Sequence, residues 1–68
     1  MKQVSGRDFA RIVQQSGWTL ARINGSHHIF TMPGRRERLV IPIHGNRPLK
    51  TGLLRSLMKL AGLQESDL

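Results

Sequence analysis

Cysteine is absent from the 68-residue sequence. Without thiols the chain cannot form a disulfide bridge, a thiolate metal site or a cysteine nucleophile. Most small secreted domains depend on disulfide bridges, so the absence favours the reducing environment of the cytoplasm. A cytoplasmic protein is therefore the expectation.

Long apolar runs are missing as well. The longest, residues 39–43, is far shorter than the ~20 residues that a membrane-spanning helix needs. Residues 1–5 contain no apolar segment of the kind found in signal peptides. Aromatic residues make up only 4%, and a chain of this length buries roughly 60% of its surface on folding. We expect no membrane association, a thin core, no large cofactor and a functional site at the surface.

Acidic residues are few. Four stand against eleven Lys and Arg, and the formal net charge is +7. Two of the four, Glu65 and Asp67, lie near the C-terminus, so residues 1–64 hold eleven basic and two acidic side chains, a net charge of +9. Such an excess attracts polyanions, of which nucleic acid is the commonest. The alternatives are a charge that serves only solubility and a face that meets an acidic protein.

The first helix is predicted from about residue 5 to 16, because its apolar residues recur on one face. Ser5 is a favourable N-cap, Asp8 resembles the acidic member of a capping box, and Gly17 is placed to end the helix.

A second amphipathic helix is predicted over residues 51–61. Thr51 is its expected N-cap and Gly62 its end, and residues 63–68 either add a helical turn or fray.

Three segments rich in β-forming residues lie between the helices. They are residues 18–23, 27–32 and 38–41, with Asn24-Gly25 as a two-residue hairpin turn and Pro42 closing the third. The order αβββα predicts one α+β domain over residues 1–68. It is a two-layer sandwich with a three-stranded antiparallel sheet and both helices on one face, an architecture shared with double-stranded-RNA-binding domains. The other face is left to water, a ligand or a partner.

Alternation along the second strand separates its two histidines. Phe30 and Met32 are the bulkier apolar pair, so their face is assigned to the helices. His28 shares that face at the edge of the core, and His27 stands on the uncovered face. Ile29 argues weakly for the reverse assignment.

An exposed imidazole can accept or donate a proton near neutral pH. Beside a phosphodiester, His27 could take the proton of an RNA 2′-hydroxyl or protonate the leaving 5′-oxygen, and nearby cations would stabilise the transition state. For a single histidine the commoner reading is an ordinary surface residue. His44, after the third strand, is either a second proton carrier or a loop residue. The spacing of the three histidines fits no metal site.

Two further features have open readings. Trp18, the only tryptophan, either fills the core, which we favour, or stacks on a base. The basic cluster of Arg35, Arg36 and Arg38 either contacts phosphates or remains solvated.

Four segments in order resemble the HicA-like (YcfA-like) mRNA interferase toxins of bacterial and archaeal toxin–antitoxin modules. The segments are Ser5-Gly6-Arg7 with Ser16-Gly17-Trp18, Gly25-Ser26-His27 with His28-Ile29-Phe30, Ile41-Pro42-Ile43-His44, and Leu53-Leu54-Arg55-Ser56-Leu57 with Leu60-Ala61-Gly62-Leu63. One departure is Gly52-Leu53-Leu54, where the family usually has Gly-Thr-Leu.

The resemblance implies a fold like that of double-stranded-RNA-binding domains, metal-independent cleavage of mRNA, and no cofactor. It implies that His27, in the Gly-Ser-His motif, is catalytic, and that a HicB-like antitoxin covers the active face in a hetero-oligomer. The candidate RNA contacts are Ser26, Arg22, Lys50 and Arg36. The alternatives are a non-catalytic RNA-binding module and a protein-interaction domain that binds an antitoxin without cleaving RNA.

Overall fold

The order of elements follows the predicted αβββα pattern. A computed structural model describes residues 2–68. It contains α1 (Gly6–Gln15), β1 (Thr19–Asn24), β2 (His27–Thr31), β3 (Leu39–Pro42), α2 (Thr51–Ala61) and a 3-10 turn at Glu65–Asp67. The three strands form one antiparallel sheet in the order β1-β2-β3. The predicted small α+β fold is confirmed. Within residues 2–68, neither helix is long and apolar enough to cross a bilayer.

The helix starts agree with the sequence at α1 and differ at α2. The hydroxyl of Ser5 accepts the backbone N–H of Asp8 at 3.1 Å, as an N-cap should. Asp8 pairs with Arg11 at 3.2 Å, so we find only the Ser5 half of the capping box. The prediction that Thr51 caps α2 is wrong. Lys50 occupies the cap, without a side-chain hydrogen bond, and Thr51 is the first helical residue.

Both helices end in the same hydrogen-bond pattern. After α1, Trp18 N–H donates to the carbonyl of Val13 at 3.0 Å, and after α2, Leu63 N–H donates to that of Met58 at 2.9 Å. Gly17 and Gly62 supply the positive φ angles, 105° and 74°, that this Schellman pattern requires. The two predicted helix ends are confirmed, and each turns the chain back onto the core.

The buried side of the sheet follows the alternation along β2 and β3. Phe30 is opposite Leu39 in the register, and His28 is opposite Ile41. Phe30, Leu39 and Ile41 are at most 2% exposed and join the apolar faces of α1 and α2 in one core. The prediction that Phe30 faces the helices is confirmed. Trp18 is 2% exposed, which confirms its place in the core.

The β1–β2 hairpin differs from the prediction in two details. Its two-residue turn is Gly25-Ser26, one residue later than predicted, with Gly25 at φ 63°. A β-bulge lies between Leu20 and Arg22. Leu20 pairs with Phe30 on the helix side, whereas Arg22 pairs with Ile29 on the open side. The extra residue therefore moves Arg22 to the face that the helices leave uncovered.

The start of α1 lies directly against the end of β3. Gly6 is buried, and a Cβ atom added there would overlap the carbonyl oxygen of Pro42. The absent side chain of Gly6 lets the two backbones approach closely. Pro42 is also the cross-strand neighbour of His27, so this contact fixes the strand that borders the candidate catalytic residue.

Gly6→Ala is expected to lower the free energy of unfolding by about 1–3 kcal/mol, because backbone atoms of β3 must move to admit the methyl group. Urea unfolding followed by the fluorescence of the single tryptophan measures the change. Gly52→Ala is the matched control, since its Cβ would meet nothing within 4 Å in the first turn of α2. This control should be neutral or gain up to about 1 kcal/mol. Equal stability of the two variants would contradict the close-approach argument.

Candidate nucleic-acid interface and catalytic residue

His27 opens β2 on the uncovered face of the sheet. It pairs with Asn24 of β1 on one side and with Pro42 of β3 on the other, and its side chain is exposed. Beyond this pair the ladder continues through a 2.9 Å hydrogen bond from Ile43 N–H to the Ser26 carbonyl. The backbone on both sides of His27 is therefore held by hydrogen bonds while the imidazole faces solvent.

His28 lies on the opposite side of the same strand. It is half-buried and pairs with Ile41 on the helix face. The predicted division between the two histidines agrees with this arrangement, because the bulk of Phe30 determines which side of β2 the helices cover. Of these two histidines, His27 is the one exposed on the open face.

A shallow depression, here named the strand pocket, lies on the open face and begins at Ile29, the next residue of β2 on the same side as His27. Its volume is about 210 Å³, and it is lined by Ala21, Arg22, Ile29, Thr31 and Arg38. Arg22 is one of the predicted RNA contacts, and the β1 bulge is what brings it here. Arg38 belongs to the basic cluster that the sequence left open between phosphate contact and solvation. The structure places it beside Arg22 in the strand pocket.

A second depression, here named the loop pocket, lies between the end of β3 and the start of α2. Its volume is about 280 Å³, and it is lined by Pro42, His44, Arg47, Pro48, Leu49, Lys50 and Leu53. It shares Pro42 with the open face, where Pro42 is the cross-strand neighbour of His27. Lys50 was predicted as an RNA contact, and His44 was left with two readings. Arg47 was not among the predicted contacts, although its position between a turn and Pro48 indicates an exposed side chain.

The basic cluster of the β2–β3 loop is divided between different roles. Arg35 holds structure: its guanidinium lies 5.2 Å from the Trp18 ring centroid and donates to the Leu60 carbonyl at 2.8 Å. Arg35 also pairs with Glu37 at 3.3 Å. The pKa of Glu37 is lowered by a hydrogen bond from the Glu37 backbone and by the neighbouring Arg35 guanidinium. Arg36, a predicted RNA contact, is exposed and lines neither pocket.

Cations beside His27 are not neutralised by the protein's own carboxylates. Among residues 2–68 two ion pairs form, Arg11 with Asp8 and Arg35 with Glu37, and both lie away from the two pockets. Arg22 and Arg38 in the strand pocket and Arg47 and Lys50 in the loop pocket keep their charges for a ligand. The open face thus presents an exposed imidazole, and its strand neighbours Ile29 and Pro42 each line a depression that holds two cations.

No group of three or more histidine, cysteine, aspartate or glutamate side chains converges in the part of the chain that the structure describes. The sequence-based prediction of no metal site rests on the spacing of the histidines and stays a prediction.

The comparison with protein families identifies the class. Residues 6–63 match the family model described as the HicA toxin of bacterial toxin–antitoxin systems. The match includes both helices, the whole sheet and both pockets, and the chain belongs to this family. A search of curated protein sequences returned no match to the chain.

Arg35→Ala is expected to lower the free energy of unfolding by about 1–2 kcal/mol, because it removes a cation–π contact and a charge-assisted hydrogen bond. Arg36→Ala removes the same charge from the neighbouring position and should change stability by less than about 0.5 kcal/mol. Urea unfolding of both variants makes the comparison. An Arg36→Ala variant as unstable as Arg35→Ala would show that the loop responds only to net charge.

Proposed function

We propose that this member of the HicA toxin family is an mRNA interferase, a metal-independent endoribonuclease that uses His27 as a general acid or base. The observation that supports it best is the exposure of the His27 imidazole on the uncovered sheet face, together with two pockets that include its strand neighbours Ile29 and Pro42 and whose cations have no carboxylate partner among residues 2–68. Cleavage of mRNA implies that the protein acts in the cytoplasm, as its cysteine-free sequence leads us to expect.

The chemistry needs removal of the 2′-hydroxyl proton, delivery of a proton to the leaving 5′-oxygen, and a stabilised phosphate. The 2′-hydroxyl of RNA is the nucleophile, and its oxygen forms a bond to the adjacent phosphorus as the bond from phosphorus to the 5′-oxygen breaks. His27 either removes the 2′-hydroxyl proton or supplies one to the 5′-oxygen, and solvent water carries the other proton. The contribution of His27 is roughly 10²–10⁴-fold in rate. The guanidinium of Arg22 or Arg38 stabilises the added negative charge on the phosphoryl oxygens. The nucleophile is part of the substrate, so no metal-bound hydroxide is required.

The remaining predicted RNA contacts, Lys50, Ser26 and Arg36, have different roles in this scheme. Lys50 lines the loop pocket and serves to hold a phosphate. Ser26 is half-buried in the turn before His27, where its carbonyl is used by Ile43, and its hydroxyl is proposed to contact the RNA backbone. Arg36 is proposed to meet phosphates further along the strand. Phosphate contacts of this kind position the RNA without reading its sequence.

The partner in this proposal is a HicB-like antitoxin. Membership of a toxin–antitoxin family implies a partner protein. The open sheet face, which the helices do not cover, is the surface with most to gain from a partner, and its charge favours acidic side chains. An antitoxin that covers His27 in a hetero-oligomer would block cleavage directly.

His27→Ala is expected to lower RNA cleavage by about 10²- to 10⁴-fold while leaving RNA affinity within about threefold, because the phosphate contacts remain. His28→Gln is the matched control: it changes the adjacent histidine on the helix side and should keep cleavage near the wild-type rate. Gel assays of a transcribed mRNA give the rates, and fluorescence anisotropy with labelled RNA gives the affinities.

The outcomes of this experiment separate the rival functions. Cleavage by His27→Ala at the wild-type rate would show that the catalytic assignment is wrong. Binding without cleavage by the wild-type protein would favour a non-catalytic RNA-binding module. Neither binding nor cleavage, together with no growth arrest on expression in bacteria without antitoxin, would favour an interaction domain.

Removing a single 2′-hydroxyl is expected to abolish cleavage at the adjacent phosphodiester, because that oxygen is the proposed nucleophile. An oligoribonucleotide with one 2′-deoxy residue at a mapped cut site tests this, and the unmodified oligonucleotide is the control. Both reactions are run in excess EDTA, where the control should still be cut. Cleavage of the deoxy substrate, or a requirement for a divalent ion, would contradict the mechanism.

A further inference from the structure

The loop pocket has a lining and a size that its proposed role in phosphate binding does not explain. Its lining is mainly apolar, and its volume of about 280 Å³ lies just below the roughly 300–1,000 Å³ of sites for drug-sized ligands. Phosphates are met by exposed cations and need no apolar depression. Leu53, 38% exposed in the first turn of α2, leaves apolar surface open in this pocket. A space of this size and lining can hold one ring system.

Two planar side chains border this apolar space. A turn closed by a 3.0 Å hydrogen bond from Arg47 N–H to the His44 carbonyl puts the imidazole and the guanidinium at its two ends. Unpaired RNA bases characteristically stack on histidine rings and arginine planes. Lys50 adds a flexible point charge that can meet the phosphate of the same nucleotide.

The pocket is held in place from several directions. Pro48 forms a bridge with Ser5, and Leu49, which is buried, donates its N–H to the Val4 carbonyl at 2.8 Å. Leu54 N–H then donates to the Lys50 carbonyl at 2.9 Å as α2 begins. A pocket anchored this way loses little conformational freedom when a ligand enters, so more of the contact energy appears as affinity.

We propose that the loop pocket binds the base of one unpaired nucleotide that flanks the scissile phosphate. This inference rests on the proposed function, because Pro42, the cross-strand neighbour of His27, lines the pocket and places it next to the reacting group. A base held there fixes the register of the strand on the sheet. It also gives the enzyme a preference for the nucleotide at one position, which the phosphate contacts cannot provide.

The test uses a single-stranded DNA oligonucleotide that contains one ribonucleotide. Only the phosphodiester after that residue has a neighbouring 2′-hydroxyl, so the register of cleavage is known. An abasic residue is then placed at each position on either side, and kcat/KM is measured for every oligonucleotide. One flanking position should lower kcat/KM by about 5- to 100-fold, the range expected for loss of one stacked base, and the others by less than about threefold.

Variants link the sensitive position to the pocket. Arg47→Ala should reduce kcat/KM on the intact oligonucleotide and remove the abasic penalty, since the stacking contact is already lost. Arg47→Lys keeps the positive charge but lacks the planar guanidinium on which a base can stack. The abasic residue should therefore again lower kcat/KM only slightly. Arg55→Ala is the matched control, because it removes one exposed arginine of α2 outside the pocket and should leave the penalty unchanged.

The outcomes distinguish this inference from the proposed function. Cleavage with an equal effect of abasic residues at every position, as expected if the pocket meets an acidic peptide instead, would overturn the inference alone. A penalty that persists in Arg47→Ala would do the same. Failure of the wild-type protein to cut both this oligonucleotide and an all-RNA version would overturn the proposed function and the inference with it.

Discussion

The constraint on which the structure depends is that two short helices can cover only one face of a three-stranded sheet. Phe30, Leu39 and Ile41 occupy the covered face, and their burial supplies the central part of a small core. Because side chains alternate along a strand, burial of Phe30 requires His27 to point the other way. The same packing that stabilises the fold therefore presents the imidazole on the open side. No additional contact is needed to expose His27.

Features that depend on neighbouring residues could be predicted from the sequence, whereas those that depend on tertiary contacts could not. The helix ends at Gly17 and Gly62 and the division between His27 and His28 rest on local rules, and the structure agrees with them. The cap of α2 was predicted one residue late, because Thr51 is a better capping residue than Lys50 but the chain around Leu49 is already fixed against Val4. At the start of α2 a tertiary contact therefore outweighs the local preference of Thr51 for the N-cap position.

The basic side chains show where such reasoning ends. Arg22 reaches the open face through a bulge, which no pattern in the sequence announces. Arg35, adjacent to Arg36 in the chain, lies over Trp18, whose burial had to be known before the cation–π contact could be inferred. Arg47 enters the candidate site because its turn is fastened to the segment before α1, about forty residues earlier in the chain. In each case the role of an arginine is set by its three-dimensional surroundings and not by the residues next to it in the chain.

The cations that would hold RNA also explain why a partner protein suits this face. An uncovered sheet with unneutralised arginines is favourable for a polyanion and unfavourable for the free protein, whose positive charges repel one another. An acidic antitoxin would relieve that repulsion and, on the same residues, exclude RNA. Inhibition then needs no second site and no conformational change. Substrate and inhibitor would compete for one surface, and they would do so through the same charges.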